Sequence, residues 1–216
     1  VEGVSGNVLM AAPEKAQIIG AICPTTNQDQ DLSGTLNRYF GEQHGIREDQ
    51  ISVISNVDEL HDRLVDCEAD IIYFLGHASH DEIPSPATSW LMLQNVKLTA
   101  ADIAKRSPSV SYRKNPVLMF LNACNSAALN HWNADSIAGI LCLDQMARNH
   151  VCCLLTAAPV PRRFAREFGK LVWSRVLNGT SIGEAVLATR TQLLHQYNNP
   201  LGLVYTLFGR LETRLG

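Results

Sequence analysis

The apolar positions of the chain fall into short runs separated by stretches of helical spacing. "AQIIGAIC" (Ala16 to Cys23) ends at Pro24, Thr25 and Thr26, the pattern of a buried strand feeding a loop. From Asp31 to His44, Leu32, Leu36, Tyr39 and Phe40 recur at helical intervals, and Gly45 stops the helix. The alternation repeats: "QISVIS" predicts a second strand, "NVDELHDRLVDC" a helix with Asn56 or Asp58 near its cap, and "ADIIYFLG" a third strand. Pro84, Ser85 and Pro86 mark an exposed loop, and "SWLMLQNVKLT" predicts a small hairpin beside the main sheet. "TAADIAKR" offers Thr99 as the N-cap of a short helix, and "PVLMFLNAC" is a fourth strand with Pro116 at its first position. "SIAGILCLDQMARN" then predicts a helix, "VCCLLTAA" a fifth strand, and "RRFAREFGKLVWSRVLN" an amphipathic helix ending at Gly179. "SIGEAVLATRTQLLHQY" is a further helix and "LGLVYTLFG" the last strand.

Strands alternating with helices predict an α/β fold, with a mostly parallel sheet of six strands and helices on both faces. No internal repeat, low-complexity segment or linker divides the chain, so residues 1–216 read as a single domain. In such sheets chemistry gathers at the carboxyl ends of the strands.

Composition narrows the function classes. A 46% hydrophobic content over 216 residues supplies a full core. The net charge of -3, without a run of like charges or a basic stripe, argues against a nucleic-acid surface or an anionic membrane as partner. No apolar stretch approaches the roughly 20 residues that span a bilayer. The six cysteines come without a signal-peptide pattern and read as thiols in a reducing cytoplasm. The chain starts at Val1, which reads as a processed or excised piece of a longer protein.

Two buried strands end in reactive side chains: "IIYFLGH" carries His77 at the tip of the third, and "VLMFLNAC" carries Cys124 at the tip of the fourth. A thiol becomes an effective nucleophile when a nearby base takes its proton, and an imidazole that titrates near neutrality can do so and later protonate a leaving amine. Taken singly, a cysteine after an apolar run is most often an inert core thiol and a histidine a hydrogen-bonded structural residue. The shared context distinguishes these two. Ala78 and Ser79 follow the histidine, and Asn125, Ser126 and Ala127 follow the cysteine. Small neighbours let a substrate carbonyl approach backbone N–H groups that would stabilise an oxyanion.

"YFLGHAS" and "LMFLNACNSA", followed by "RRFAREFGKLVWSRVLNGTSIGEAVLATR" and "NPLGLVYTLFG", resemble the CHAT domain, a caspase-like cysteine peptidase module related to separases and caspases. The resemblance runs from about Ala16 to Gly209 and implies a caspase-like three-layer sandwich. It implies His77 as general base and acid, Cys124 as nucleophile, and the N–H groups of Ala78 and Cys124 as the oxyanion hole. A thioester acyl-enzyme formed from a protein or peptide substrate follows, with no metal or cofactor. The resemblance also implies a regulatory sensor, such as a tetratricopeptide-repeat region in cis or in trans, and a place in bacterial antiviral defence or cell death. Family members usually have Gly directly after the histidine, where Ala78 stands, and often a tryptophan where this chain has Ala158. A Cβ at position 78 could strain the backbone or narrow the oxyanion site. That departure favours a second reading, a pseudopeptidase that binds peptides without cutting them. In such a fold Thr25 and Thr26, with Thr156, Ala157, Ala158 and Pro159, would line the substrate pocket. Neither stretch holds an acid, although Asp29 and Asp31 stand near the first.

Other patterns carry less. "GTSIG" matches the G-x-S-x-G of serine hydrolases, but a helical pattern precedes it, and Ser181 with Glu184 fits a capping box better. His77, His80, Asp81 and Cys124 lack metal-ligand spacing. Asp81 could instead orient a histidine. Cys23, Cys67, Cys142, Cys152 and Cys153 read as packing residues, with Cys23 ending a strand that faces the cleft. Trp173 reads as core.

Overall fold

Ile18, Ile71, Leu118 and Cys152 stand at the starts of four apolar runs, and a computed structural model aligns those runs as parallel neighbours. It describes residues 9–10, 12, 15–22, 36, 40, 46–54, 58–59, 69–76, 78–79, 90–93, 96–99, 101–102, 117–123 and 151–216. The strands are β1 (Leu9–Met10), β2 (Ile18–Ile22), β3 (Ile51–Val53), β4 (Ile71–Gly76), β5 (Ala78–Ser79), β6 (Trp90–Leu93), β7 (Val96–Thr99), β8 (Val117–Ala123), β9 (Val151–Thr156), β10 (Tyr205–Phe208) and β11 (Arg214–Leu215). The long helices are α1 (Arg162–Leu177) and α2 (Ile182–Tyr197).

The main sheet has six strands in the order β10-β9-β8-β4-β2-β3, all parallel except β10 at one edge. Alternate residues divide between its faces. Ile71, Tyr73 and Leu75, with Leu118, Phe120 and Leu154, join the core cluster that α1 and α2 cover. Trp173 of α1 sits at its centre, its ring centroid 5.2 Å from Phe40, 5.7 Å from Tyr73 and 5.9 Å from Phe120. Both long helices lie on this face. The residues of the opposite face, Ile72, Phe74, Met119, Leu121, Cys153 and Leu155, are buried as well, as a sheet covered on two sides requires.

The helices begin and end where local chemistry directs. Ser181 caps α2 through a reciprocal capping box with Glu184, and Gly179 takes φ +82° in the turn after α1, a left-handed conformation that favours glycine. Hydrogen bonds from the Ser181 hydroxyl and N–H hold the Glu184 carboxyl below the ordinary glutamate range. The serine-hydrolase pattern is thus a helix cap, preceded by a helix. Thr99 caps residues 101–102 in the same way, its Oγ1 accepting from Asp102 N–H at 3.1 Å. Gly20 of β2 is needed for close packing, because a Cβ there would stand 2.5 Å from the Leu36 side chain.

Several expected elements change. The second strand shortens to β3 because Gln50 belongs to a 3-10 turn (Glu48–Gln50), its side chain donating to Ala16 O at 2.8 Å. The last strand shortens to β10: Asn199 caps a 3-10 turn (Pro200–Val204) with Pro200 inside its start, and the strand that follows runs antiparallel to β9. The expected hairpin is β6–β7, and β5 extends it to a three-stranded sheet. β1 and β11 form a separate parallel pair. The helix expected from Ser136 to Asn149 lies outside the described residues. None of the described helices is long and apolar enough to cross a membrane.

Candidate active site

The parallel strands β4 and β8 end at the same edge of the sheet. β4 and β8 are adjacent and in register, with Leu75 opposite Asn122 and Gly76 opposite Ala123. His77 and Cys124 are the residues that follow these two in the chain. Both lie outside the described residues, as do Thr25 and Thr26. What the structure gives is the pair of strand ends that leads to each.

Beneath the end of β8 is a buried polar cluster. Asn122 is 2% exposed, and its amide Nδ2 donates to Ala165 O of α1 at 2.8 Å and to the Tyr73 hydroxyl at 3.3 Å. Its Oδ1 accepts from the Tyr205 hydroxyl at 2.7 Å. Asparagine in an apolar strand must find partners for both ends of its amide, and here two phenols and a helix carbonyl meet that need. The Tyr205 ring stacks on Phe168 of α1 with centroids 3.7 Å apart. Gly169 lets α1 approach: a Cβ there would meet the Tyr73 hydroxyl at 2.8 Å and Asn122 Nδ2 at 3.3 Å.

Thr156 ends β9 beside this cluster. It is 1% exposed, and its Oγ1 donates a hydrogen bond to the carbonyl oxygen of Ala123. Its hydroxyl is thus directed into the fold, while Ala157 and Pro159 are exposed and Ala158 is half-buried. The loop they form is tied down by Ala157 N–H donating to Val204 O at 2.8 Å. Arg190 of α2 braces the neighbouring strand by donating to the carbonyls of Gly202 and Tyr205, and burial pushes its pKa down from the usual arginine value.

Ala78 opens β5, where its backbone pairs with Leu91 as extended strand. Among the described residues the non-glycine with positive φ is Asn198, so a Cβ at position 78 carries no left-handed strain. No group of three or more His, Cys, Asp or Glu suited to a metal is found among the described residues. Cys152 and Cys153 are buried and form no disulfide, in keeping with a packing role.

Sequence reasoning missed the parts played by Asn122, Tyr205 and Gly169, and the Thr156 bond to Ala123. The signal for Asn122 was present: an amide inside "VLMFLNAC" cannot be left unpaired in a buried strand.

A six-stranded, mostly parallel sheet with this strand order and helical cover is a caspase-like α/β fold. The chain belongs to the CHAT domain family, whose model matches residues 12–202. That family is related to caspase-like cysteine peptidases. No curated protein matches the chain.

Proposed function

We propose that this domain is a cysteine endopeptidase acting through a His77–Cys124 dyad. The observation that carries the proposal is the register of β4 and β8: Gly76 and Ala123, the residues before the two candidates, are partners on adjacent parallel strands. Neighbouring strands in a sheet lie about 4.8 Å apart, a spacing across which an imidazole can reach a thiol. In the reaction His77 takes the Cys124 proton, and the thiolate sulfur attacks the scissile carbonyl carbon. The resulting oxyanion collapses with protonation of the leaving amine by His77, and water then attacks the thioester carbon and breaks the C–S bond, which releases the carboxylic acid and returns the thiol. The Ala78 and Cys124 N–H groups serve as the oxyanion donors, and the exposed loop of Ala157 to Pro159 serves as one wall of the peptide groove. The proposal extends to a protein substrate, control by a sensor region and a role in defence or programmed death, as the resemblance to the CHAT domain implies.

The test is labelling with a thiol-reactive peptide warhead, read at Cys124. We expect rapid labelling of the unmodified chain, none at position 124 in Cys124→Ala, and a fall of about 100-fold or more in His77→Ala. Labelling no faster than that of a free cysteine, with no protein substrate cut, would instead support a peptide-binding module without catalysis.

A further inference from the structure

Thr156 ends the strand beside β8, and its hydroxyl bonds to the carbonyl of Ala123, the residue that precedes the candidate nucleophile in the chain. The acceptor of that hydrogen bond is the Ala123 carbonyl, and the N–H of the same peptide unit belongs to Cys124. A peptide is a conjugated unit: a donor on its oxygen draws electron density from nitrogen and makes the N–H a better donor. A peptide unit is planar, so a bond that constrains the direction of its C=O constrains that of its N–H as well. Thr156 lies in a row of buried polar residues across the strand ends, with Tyr205 its register partner on one side and Asn122 on the adjacent strand. Asn122 is itself held by Ala165 O and the Tyr73 and Tyr205 hydroxyls. The peptide leading to Cys124 is therefore secured on its own oxygen and at the residue before.

We infer that Thr156 is a positioning residue for acyl transfer, tuning the Cys124 N–H as an oxyanion donor through the Ala123 carbonyl. The inference rests on the reading of Cys124 as the nucleophile. It assigns Thr156 to the catalytic step and not to the wall of the substrate pocket.

Two small probes of the full chain separate this role from a structural one. With p-nitrophenyl acetate, the Cys124 thiolate forms a C–S bond to the carbonyl carbon and the C=O pair moves onto oxygen. Collapse of that oxyanion expels p-nitrophenolate and leaves a thioester, the thiol proton having passed to His77. With iodoacetamide, the same thiolate displaces iodide at a saturated carbon and no oxyanion forms. Both rates are read at Cys124 by mass spectrometry, on variants first shown to melt cooperatively.

Thr156→Val should lower acylation about tenfold, less than the hundredfold or more seen when an oxyanion donor is deleted outright. Its alkylation rate should stay within about twofold, and Thr156→Ser, which keeps the hydroxyl, should restore acylation. If Thr156→Val does not fold, Thr156→Ala removes the same hydroxyl and carries the comparison. Equal loss in both rates, no loss in either, or a serine variant as slow as the valine one overturns the role of Thr156. A wild-type Cys124 that reacts with both probes no faster than free cysteine overturns the peptidase reading as well.

Discussion

The ends of β4 and β8 lie side by side, paired residue for residue, yet they are built on opposite plans. At the same level of the sheet β4 has Leu75 and Gly76 where β8 has Asn122 and Ala123. The β8 end is cross-braced by hydrogen bonds from the Thr156 and Tyr205 hydroxyls, and by those that Asn122 donates to the Tyr73 hydroxyl and to Ala165 O of α1. The β4 end is held by apolar packing of Leu75, after which Gly76 is half-buried. A strand end fixed by directional bonds defines where its next peptide points, whereas dispersion contacts set position but tolerate rotation. The nucleophile of the proposed dyad thus follows the braced end, and the base follows the freer one.

The largest test of this contrast exchanges polarity at one level. Asn122→Leu removes the amide that serves two buried phenols and should cost about 2–4 kcal/mol. For a chain of this size that is a fall in Tm of roughly 5–15 °C, measurable by calorimetry. Leu75→Met, its neighbour in register, should cost less than about 1.5 kcal/mol, because volume is conserved and no hydrogen bond is lost. Similar losses at the two positions would break the comparison. Next in size is Gly169→Ala, whose Cβ drives into the Tyr73 hydroxyl and Asn122 amide, at about 1–3 kcal/mol in chemical denaturation. Tyr205→Phe removes one donor to Asn122 and keeps the ring on Phe168, so a loss of about 1 kcal/mol is expected.

The smallest effect belongs to a site remote from both ends. The folded state holds Glu184 at a lowered pKa, so its contribution is fully present above the unfolded glutamate pKa and is lost as pH falls through the folded one. Glu184→Gln should therefore lower Tm at neutral pH, and its deficit should vanish toward strong acid. A deficit independent of pH would assign the effect to packing and not to the carboxylate.

The strands and the long helices were legible because their signals are local. "IIYFLG" and "VLMFLNA" are unbroken apolar runs, and Ser181 with Glu184 states a helix start within four residues. Register was not legible, since β4 and β8 are buried on both faces and every shift leaves apolar side chains inside. β5 was missed because two residues have no period, and its partner Leu91 comes from a separate strand. The polar cluster joins residues 43, 49 and 83 positions apart, so the sequence could announce that Asn122 needs partners but not which ones. The two strand ends were expected, whereas their pairing and the brace beneath one of them come only from the folded chain.

One further property follows from the passage of β4 into β5. Gly76 belongs to the six-stranded sheet and Ala78 to the three-stranded one, so the chain changes sheets across a single position. Two residues of chain reach at most about 7 Å, so the end of β4 and the start of β5 are held within that distance of each other. The small sheet is thereby leashed to the edge of the large one at which β8 also ends.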